Sequence, residues 1–221
     1  VVRGQNSSER YLSYNAMATY VYNNRYILSG NLSHMGSDNF APDERFATFP
    51  GISAGWVISE EPFMKGLGFN LLKLRASYGQ AGQAAVGVNR YPYQGMYMEG
   101  NGYNFGTSQS VWAGAYESTT GNRNIKWELS DMVNIGVDFD WNRKKIYGSL
   151  DVFKEWRSNI LVDRATIPST YGAAIPQDSY GKVETKGVEA TLGHINRIGD
   201  FEYYIEGLLT WNTNRITEMD E

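Results

Sequence analysis

The sequence predicts an all-β chain, and more narrowly a segment of a transmembrane antiparallel β-barrel. Three observations carry this. Apolar and polar residues alternate over unusually long runs, the connections between those runs alternate between short and long, and the 221 residues hold 16 Tyr, 6 Trp and 24 Gly against 6 Pro. Aromatics pack well on pleated surfaces and glycine tolerates bends and bulges, so the composition suits long sheets.

The clearest run is KWELSDMVNIGVDFDW, residues 126–141. Its odd positions are Trp127, Leu129, Asp131, Val133, Ile135, Val137, Phe139 and Trp141, and its even positions are amide, acid, glycine and other mostly polar residues. Trp127 and Trp141 are fourteen residues apart, roughly 46 Å at about 3.3 Å per residue. A tilt of about 40° projects this to about 35 Å, enough to bracket an apolar band of about 25 Å with an aromatic girdle at each edge. The odd side is therefore expected to face lipid and the even side water or a polar plug. Asp131 does not fit, and either the membrane boundary lies close to it or a bulge rotates the strand there.

The same pattern recurs along the chain. YLSYNAMATYVY carries Leu12, Tyr14, Ala16, Ala18, Tyr20 and Tyr22 on one side, and Asn23 and Asn24 offer a tight turn because Asn tolerates positive φ. Tyr26, Leu28, Gly30 and Leu32 continue on the returning strand. Further runs follow through Ile52, Ala54, Trp56 and Ile58, then Leu72, Leu74, Ala76 and Tyr78. Beyond residues 126–141 come Ile146 to Phe153, Val188 to Gly193 and Tyr203 to Asn212, the last including Trp211. That makes about eight long strands. Short turns are expected near 23–24, 60–70, 142–145 and 196–200, and long loops near 34–47, 80–125 and 157–181, with room for short strands in 80–125. Outer-membrane barrels pair short periplasmic turns with long extracellular loops in this way.

Several function classes drop out. A net charge of −4 provides no basic field for nucleic acid. The absence of Cys leaves no disulfide framework and no thiolate site, and the two histidines, His34 and His194, lie far apart. No apolar run is long enough for a membrane-spanning helix, which says nothing against strands. No cofactor or metal is called for. Asp38, Asp43 and Glu44 lack the spacing of a calcium loop and read as a solvated acidic loop. Glu60 and Glu61 read as acids in a short turn opened by Ser59, because catalytic carboxylates must flank a substrate with separated pKa values.

Four stretches resemble a known family, the SusC/RagA-type TonB-dependent transporters of the Bacteroidetes outer membrane. RFATFPGISAGWVISEEPFM (45–64) resembles its aromatic-Pro…Gly-Trp…Ser-Glu-Glu signature, and LKLRASYGQAG (72–82) its Leu-Lys-Leu-Arg strand. NRNIKWE (122–128) resembles Asn-Pro-x-Leu-Lys-Trp-Glu with Arg123 in place of proline, and GKVETKGVEATL (181–192) resembles Gly-x-x-x-Asn-x-Gly-x-Glu with Thr185 in place of Asn. Family members are several times longer and have 22-stranded barrels. The resemblance therefore implies a central barrel segment, without the signal peptide, TonB-interacting segment and plug. It also implies no enzyme, but an importer of glycan or peptide, capped by a SusD-like surface lipoprotein and energised by a TonB–ExbB–ExbD complex through parts not in this chain.

The candidate site residues fall into three groups. Tyr91, Tyr93, Tyr97, Tyr103, Trp112 and Tyr116 lie in the long loop among Asn and Gly. There they could stack on sugar rings, contact the lipoprotein, or hold the loop together. Lys73, Arg75, Asn134 and Asp138 are expected to face the lumen. Trp56, Trp127, Val133, Ile135, Val137, Trp141 and Trp211 are expected to face lipid or form the girdle. Two rival readings use the same residues: eight strands closing on themselves as an adhesion or structural barrel, and a soluble sugar-binding β-sandwich.

Overall fold

A computed structural model describes residues 8–84, 90–105, 107, 110–166, 168–172 and 174–219. Eight antiparallel strands form one sheet: β1 (Tyr11–Tyr22), β2 (Tyr26–Ser37), β3 (Phe46–Val57), β4 (Phe69–Gln83), β7 (Glu128–Trp141), β8 (Ile146–Asp163), β9 (Gln177–Ile198) and β10 (Phe201–Glu218). A separate hairpin, β5 (Met96–Phe105) and β6 (Ser110–Thr119), rises between β4 and β7. The big sheet runs in the order β1, β2, β3, β4, β7, β8, β9, β10, so β1 and β10 are its two ends and do not pair with each other. The segment neither closes as a barrel of its own nor folds as two packed sheets.

The short connections are tight because their residues accept left-handed backbone. Asn23 and Asn24 have φ of 52° and 55°, the two-residue hairpin geometry that matches strand twist. Asn142, Arg143 and Lys144 turn β7 into β8 at φ of 52°, 59° and 66°, with the Asp140 carboxylate accepting from the Lys144 amide at 2.8 Å. Between β3 and β4 the chain makes two 3-10 turns, Ile58–Glu60 and Pro62–Met64.

The strands outrun the alternating pattern. β2 reaches Ser37 and β3 begins at Phe46, β4 reaches Gln83, β8 reaches Asp163 and β9 begins at Gln177. The loops expected at 34–47, 80–125 and 157–181 are correspondingly shorter, and the middle one contains the β5–β6 hairpin. Ion pairs link the outer reaches of β8, β9 and β10: Lys154 to Glu184 at 3.0 Å, Arg164, just past β8, to Asp178 at 2.5 Å, and Lys182 to Glu218. Hydrophobic periodicity does not report stretches such as Ile160, Leu161 and Val162, where apolar residues follow one another without alternating.

The register sorts the sheet into two faces. One hydrogen-bonded row contains Tyr20, Leu28, Ala54, Ala76, Ile135, Val152, Val188 and Trp211, and the next contains Tyr22, Tyr26, Trp56, Leu74, Val137, Leu150, Ala190 and Leu209. Both are apolar or aromatic across all eight strands. The row between them, on the opposite face, contains Val21, Ile27, Gly55, Arg75, Gly136, Asp151, Glu189 and Thr210.

The apolar face also drifts along the strands. On β1 its apolar positions run from Leu12 to Tyr22, and on β10 from Phe201 to Trp211. Trp211 shares its row with Tyr20 rather than Leu12, and Leu209 shares its row with Tyr22 while Phe201 lies further down. The displacement is eight residues at both edges. Strands about 4.8 Å apart and tilted about 40° climb about 3 Å per strand, and each residue rises about 2.5 Å along the tilted axis. Seven strand steps then displace a level band by about eight residues. The apolar face is therefore shaped as a flat slab cut across tilted strands.

Candidate functional site

Lys73, Arg75, Asn134 and Asp138 share the polar face, as their register shows: Lys73 opposes Asp138, Ser77 opposes Asn134, and Gly55 opposes Arg75. The Arg75 guanidinium is the centre of this face. Its Nε donates to Asp138 Oδ2 at 2.9 Å and its two terminal nitrogens donate to Asp151 Oδ1 and Oδ2, each at 2.8 Å. The planar fork thus grips two carboxylates at once, the geometry in which Arg differs most from Lys. Asp151 is only 9% exposed, and it and Glu189 beside it join this face through strand pairing, which alternation along a single strand does not reveal. Gly136 makes room for the cluster, since a Cβ there would lie 2.5 Å from Asp151 Oδ1 and 2.9 Å from Arg75 Cζ.

Trp56, Val133, Ile135, Val137, Trp141 and Trp211 all lie on the apolar face, and Ile135 and Trp211 are well exposed on it. Glu61 anchors the aromatic edge near the turn, accepting from Tyr26 Oη at 2.8 Å, Trp56 Nε1 at 3.1 Å and Arg25 at 3.3 Å. The Tyr26 and Trp56 hydrogen bonds hold its carboxyl below the usual glutamate range, partly opposed by desolvation and helped by Arg25. No bulge interrupts β7 at Asp131, which pairs with Gln80 and Trp156 in regular register. Its carboxylate accepts from Tyr78 at 2.8 Å and Gln80 at 3.0 Å. Of the two explanations for Asp131 the structure keeps one: the apolar band ends below it.

Trp127 corrects the expectation. It precedes β7, is 4% exposed, and stacks on Phe40 at 4.9 Å and edge-on to Phe49 at 5.7 Å, with Ala84 and Ile125 completing the cluster. Its Nε1 donates to the Arg45 carbonyl, the Trp127 carbonyl accepts from Asn159 at 3.1 Å, and Asn122 donates to the Gln177 carbonyl at 2.9 Å. The NRNIKWE stretch is therefore a buckle tying its own connection to the one between β2 and β3 and to the outer ends of β8 and β9. Fourteen-residue spacing to Trp141 mimics a girdle, and periodicity cannot tell a residue ending a strand from one turning inward beneath loops.

The loop aromatics divide into two sets. Tyr91, at φ 56°, donates to the Ser8 carbonyl at 3.2 Å, meets Tyr93 edge-on at 6.1 Å, and lies under Arg90, which reaches Asp38 at 3.4 Å. Tyr91 and Tyr93 border a cleft of about 500 Å³ that also touches Arg10, Asp38 and Arg45. Tyr97, Tyr103 and Tyr116 are instead on the β5–β6 hairpin and largely exposed. Trp112 opposes Tyr103 in the hairpin, but its side chain lies outside the described residues. Among the described residues no three His, Cys, Asp or Glu side chains gather to hold a metal ion, and no helix is long and apolar enough to cross a membrane.

Residues 3–220 match the family model described as TonB dependent receptor-like, beta-barrel. The chain is 31% identical over 216 residues to the TonB-dependent receptor SusC of Bacteroides thetaiotaomicron, covering 94% of this chain and 21% of that one. It is 30% identical over 202 residues to the TonB-dependent receptor P26 of Formosa agariphila, covering 90% of this chain and 20% of that one. Among solved structures, the RagAB peptide importer in its open-open state superposes with a TM-score of 0.83 at 20% identity, covering 95% of this chain and 22% of that one. The siderophore receptor PirA from Pseudomonas aeruginosa superposes with a TM-score of 0.60 at 17% identity. The chain thus spans about a fifth of the length of the curated relatives it matches.

Proposed function

Since the chain belongs to the TonB dependent receptor-like β-barrel family, we propose that it is barrel wall from an outer-membrane, TonB-dependent nutrient importer. In this reading the apolar face lies in lipid and the face centred on Arg75 lines the lumen. The short turns face the periplasm, and the long connections with the β5–β6 hairpin face outward. The observation that carries it is the pair of apolar rows crossing all eight strands, with Arg75, Asp151 and Glu189 in the row between them on the reverse face. Such rows are favourable only where one side meets hydrocarbon and the other water or protein.

Oligosaccharide is the cargo we favour, with peptide second. The exposed hairpin tyrosines among Asn and Gly match the stacking and amide bonding that sugar rings accept. The peptide reading draws on the fold likeness to RagAB. A SusD-like lipoprotein would seat on the long-loop end, with TonB–ExbB–ExbD supplying energy from the periplasm. The test is uptake of fluorescently labelled oligosaccharides and of labelled peptides by cells with and without the intact gene. Glycan uptake lost on deletion, restored by the wild-type gene and weakened by Tyr97→Ala with Tyr103→Ala, supports the reading. Loss of peptide uptake alone replaces the cargo, and no loss of either removes the importer.

A further inference from the structure

We infer that the apolar face carries a specific seat for an acyl chain of a periplasmic-leaflet phospholipid, an inference that rests on the membrane orientation proposed above. On this face Ala54 and Ala76 stand side by side in one row, next to Leu28 and Tyr20. The result is a groove of about 380 Å³ with the alanines as its floor and Trp56, Leu74 and Tyr26 as a wall. The rest of that row, Ile135, Val152, Val188 and Trp211, has no such pair of small residues.

The wall is built rather than loose. Tyr22 stacks on Tyr26, and Tyr26 on Trp56, each at 6.4 Å between ring centres, with ring planes 28° and 12° apart. Glu61 fixes the last two rings through the Tyr26 and Trp56 hydrogen bonds. A rigid aromatic wall beside a flat small-residue floor offers a hydrocarbon chain continuous dispersion contact with little ordering cost on the protein side. It lies next to the short-turn end of β1 to β4, the edge where headgroups of the periplasmic leaflet would sit.

Arg25 supplies the polar end. It stands in the turn after Asn24, and one terminal nitrogen reaches Glu61 at 3.3 Å while its side chain is 28% exposed. A guanidinium has five N–H donors, so it can hold Glu61 and still meet a phosphate in the interface. Hydrocarbon in the groove with phosphate at its periplasmic mouth defines a phospholipid, and neither a bare fatty chain nor a free phosphate satisfies both ends.

The test uses the intact protein in vesicles containing phosphatidylethanolamine with a photoactivatable diazirine in one acyl chain, and maps the adducts by mass spectrometry. The expected result is several-fold more adduct on the β3 and β4 peptides carrying Ala54 and Ala76 than around Val137 and Leu150. Ala54→Phe with Ala76→Phe should abolish that excess, Val137→Phe should leave it, and Arg25→Gln should reduce it, all with the barrel still folded by heat-modifiable gel mobility. Equal labelling over the whole face overturns the seat but keeps the membrane reading. Weaker labelling in the groove than elsewhere means protein covers it and also overturns the seat. No labelling of any of these strands overturns the membrane orientation itself.

Discussion

At the scale of single residues, two positions stand out because one atom decides them. Glu61 is 8% exposed and takes three hydrogen bonds, two from the aromatic edge of Tyr26 and Trp56 and one from Arg25. Its folded pKa lies below the ordinary glutamate value of about 4.3. A depressed carboxylate pKa adds stability that is fully present above the unfolded value and is lost as pH falls through the folded one. The difference in melting temperature between the wild type and Glu61→Gln in detergent should therefore be constant above about pH 5 and shrink below pH 4. A difference that stays flat to pH 3 would mean Glu61 contributes shape and not charge. Gly136 is decided by space. Because a Cβ there would press on Asp151 and the Arg75 guanidinium, Gly136→Val should destabilise the barrel by about 1–3 kcal/mol, the usual cost of overpacking. Gly207 faces nothing within 4 Å of an added Cβ, so Gly207→Ala should cost far less in the same denaturation experiment.

At the scale of elements, the long-loop end depends on Trp127. Truncating a buried aromatic typically costs about 3–5 kcal/mol, and here the loss falls on the packing of the β2–β3 connection against the one that leads into β7. Trp127→Ala should make the stretches around Phe40 and Ile125 open to protease while β7 and β8 stay protected, which limited proteolysis of the folded protein can read. Cleavage within β7 itself would show that the tryptophan holds the strand and not the loops. The contrast with Trp141 shows which elements could be read in advance. Where one face of a strand meets lipid, alternation shows it, so the middles of β1, β2, β3, β4, β7, β8 and β10 and the side chosen by Arg75, Asp138, Ile135 and Val137 follow from period alone. Where β8 and β9 run on past the alternating pattern, the Lys154–Glu184 and Arg164–Asp178 ion pairs sit beside Ile160, Leu161 and Val162 in succession, so no two-residue alternation marks them and the period is silent. The Asp151 ligand of Arg75 was missed for a similar reason. It sits on the neighbouring strand at a register that only pairing reveals, and a lone Asp in a polar ladder is indistinguishable from a solvated one.

At the scale of the whole molecule, the drift of the apolar face leads to a prediction about position that sequence pairing alone would get wrong. Ala18 on β1 and Thr213 on β10 belong to one hydrogen-bonded row that passes through Gly30, Ile52, Tyr78, Val133, Lys154 and Lys186. In a flat, untilted sheet they would share one depth. In the tilted wall Ala18 lies mid-band, between Leu12 and Tyr22, whereas Thr213 lies just past Trp211, level with the zone that begins at Lys154 and Lys186. Arginine on the lipid face costs about 2–4 kcal/mol at the midplane and about 0–1 kcal/mol near the interface. Ala18→Arg should therefore destabilise the intact protein in bilayers by about the larger amount and Thr213→Arg by little. Spin labels at the same two positions should show high oxygen accessibility at 18, and high accessibility to a water-soluble relaxation agent at 213. Equal costs and equal accessibilities would mean the strands stand upright, and the eight-residue drift would then have to come from something other than a bilayer cut across a tilted barrel wall.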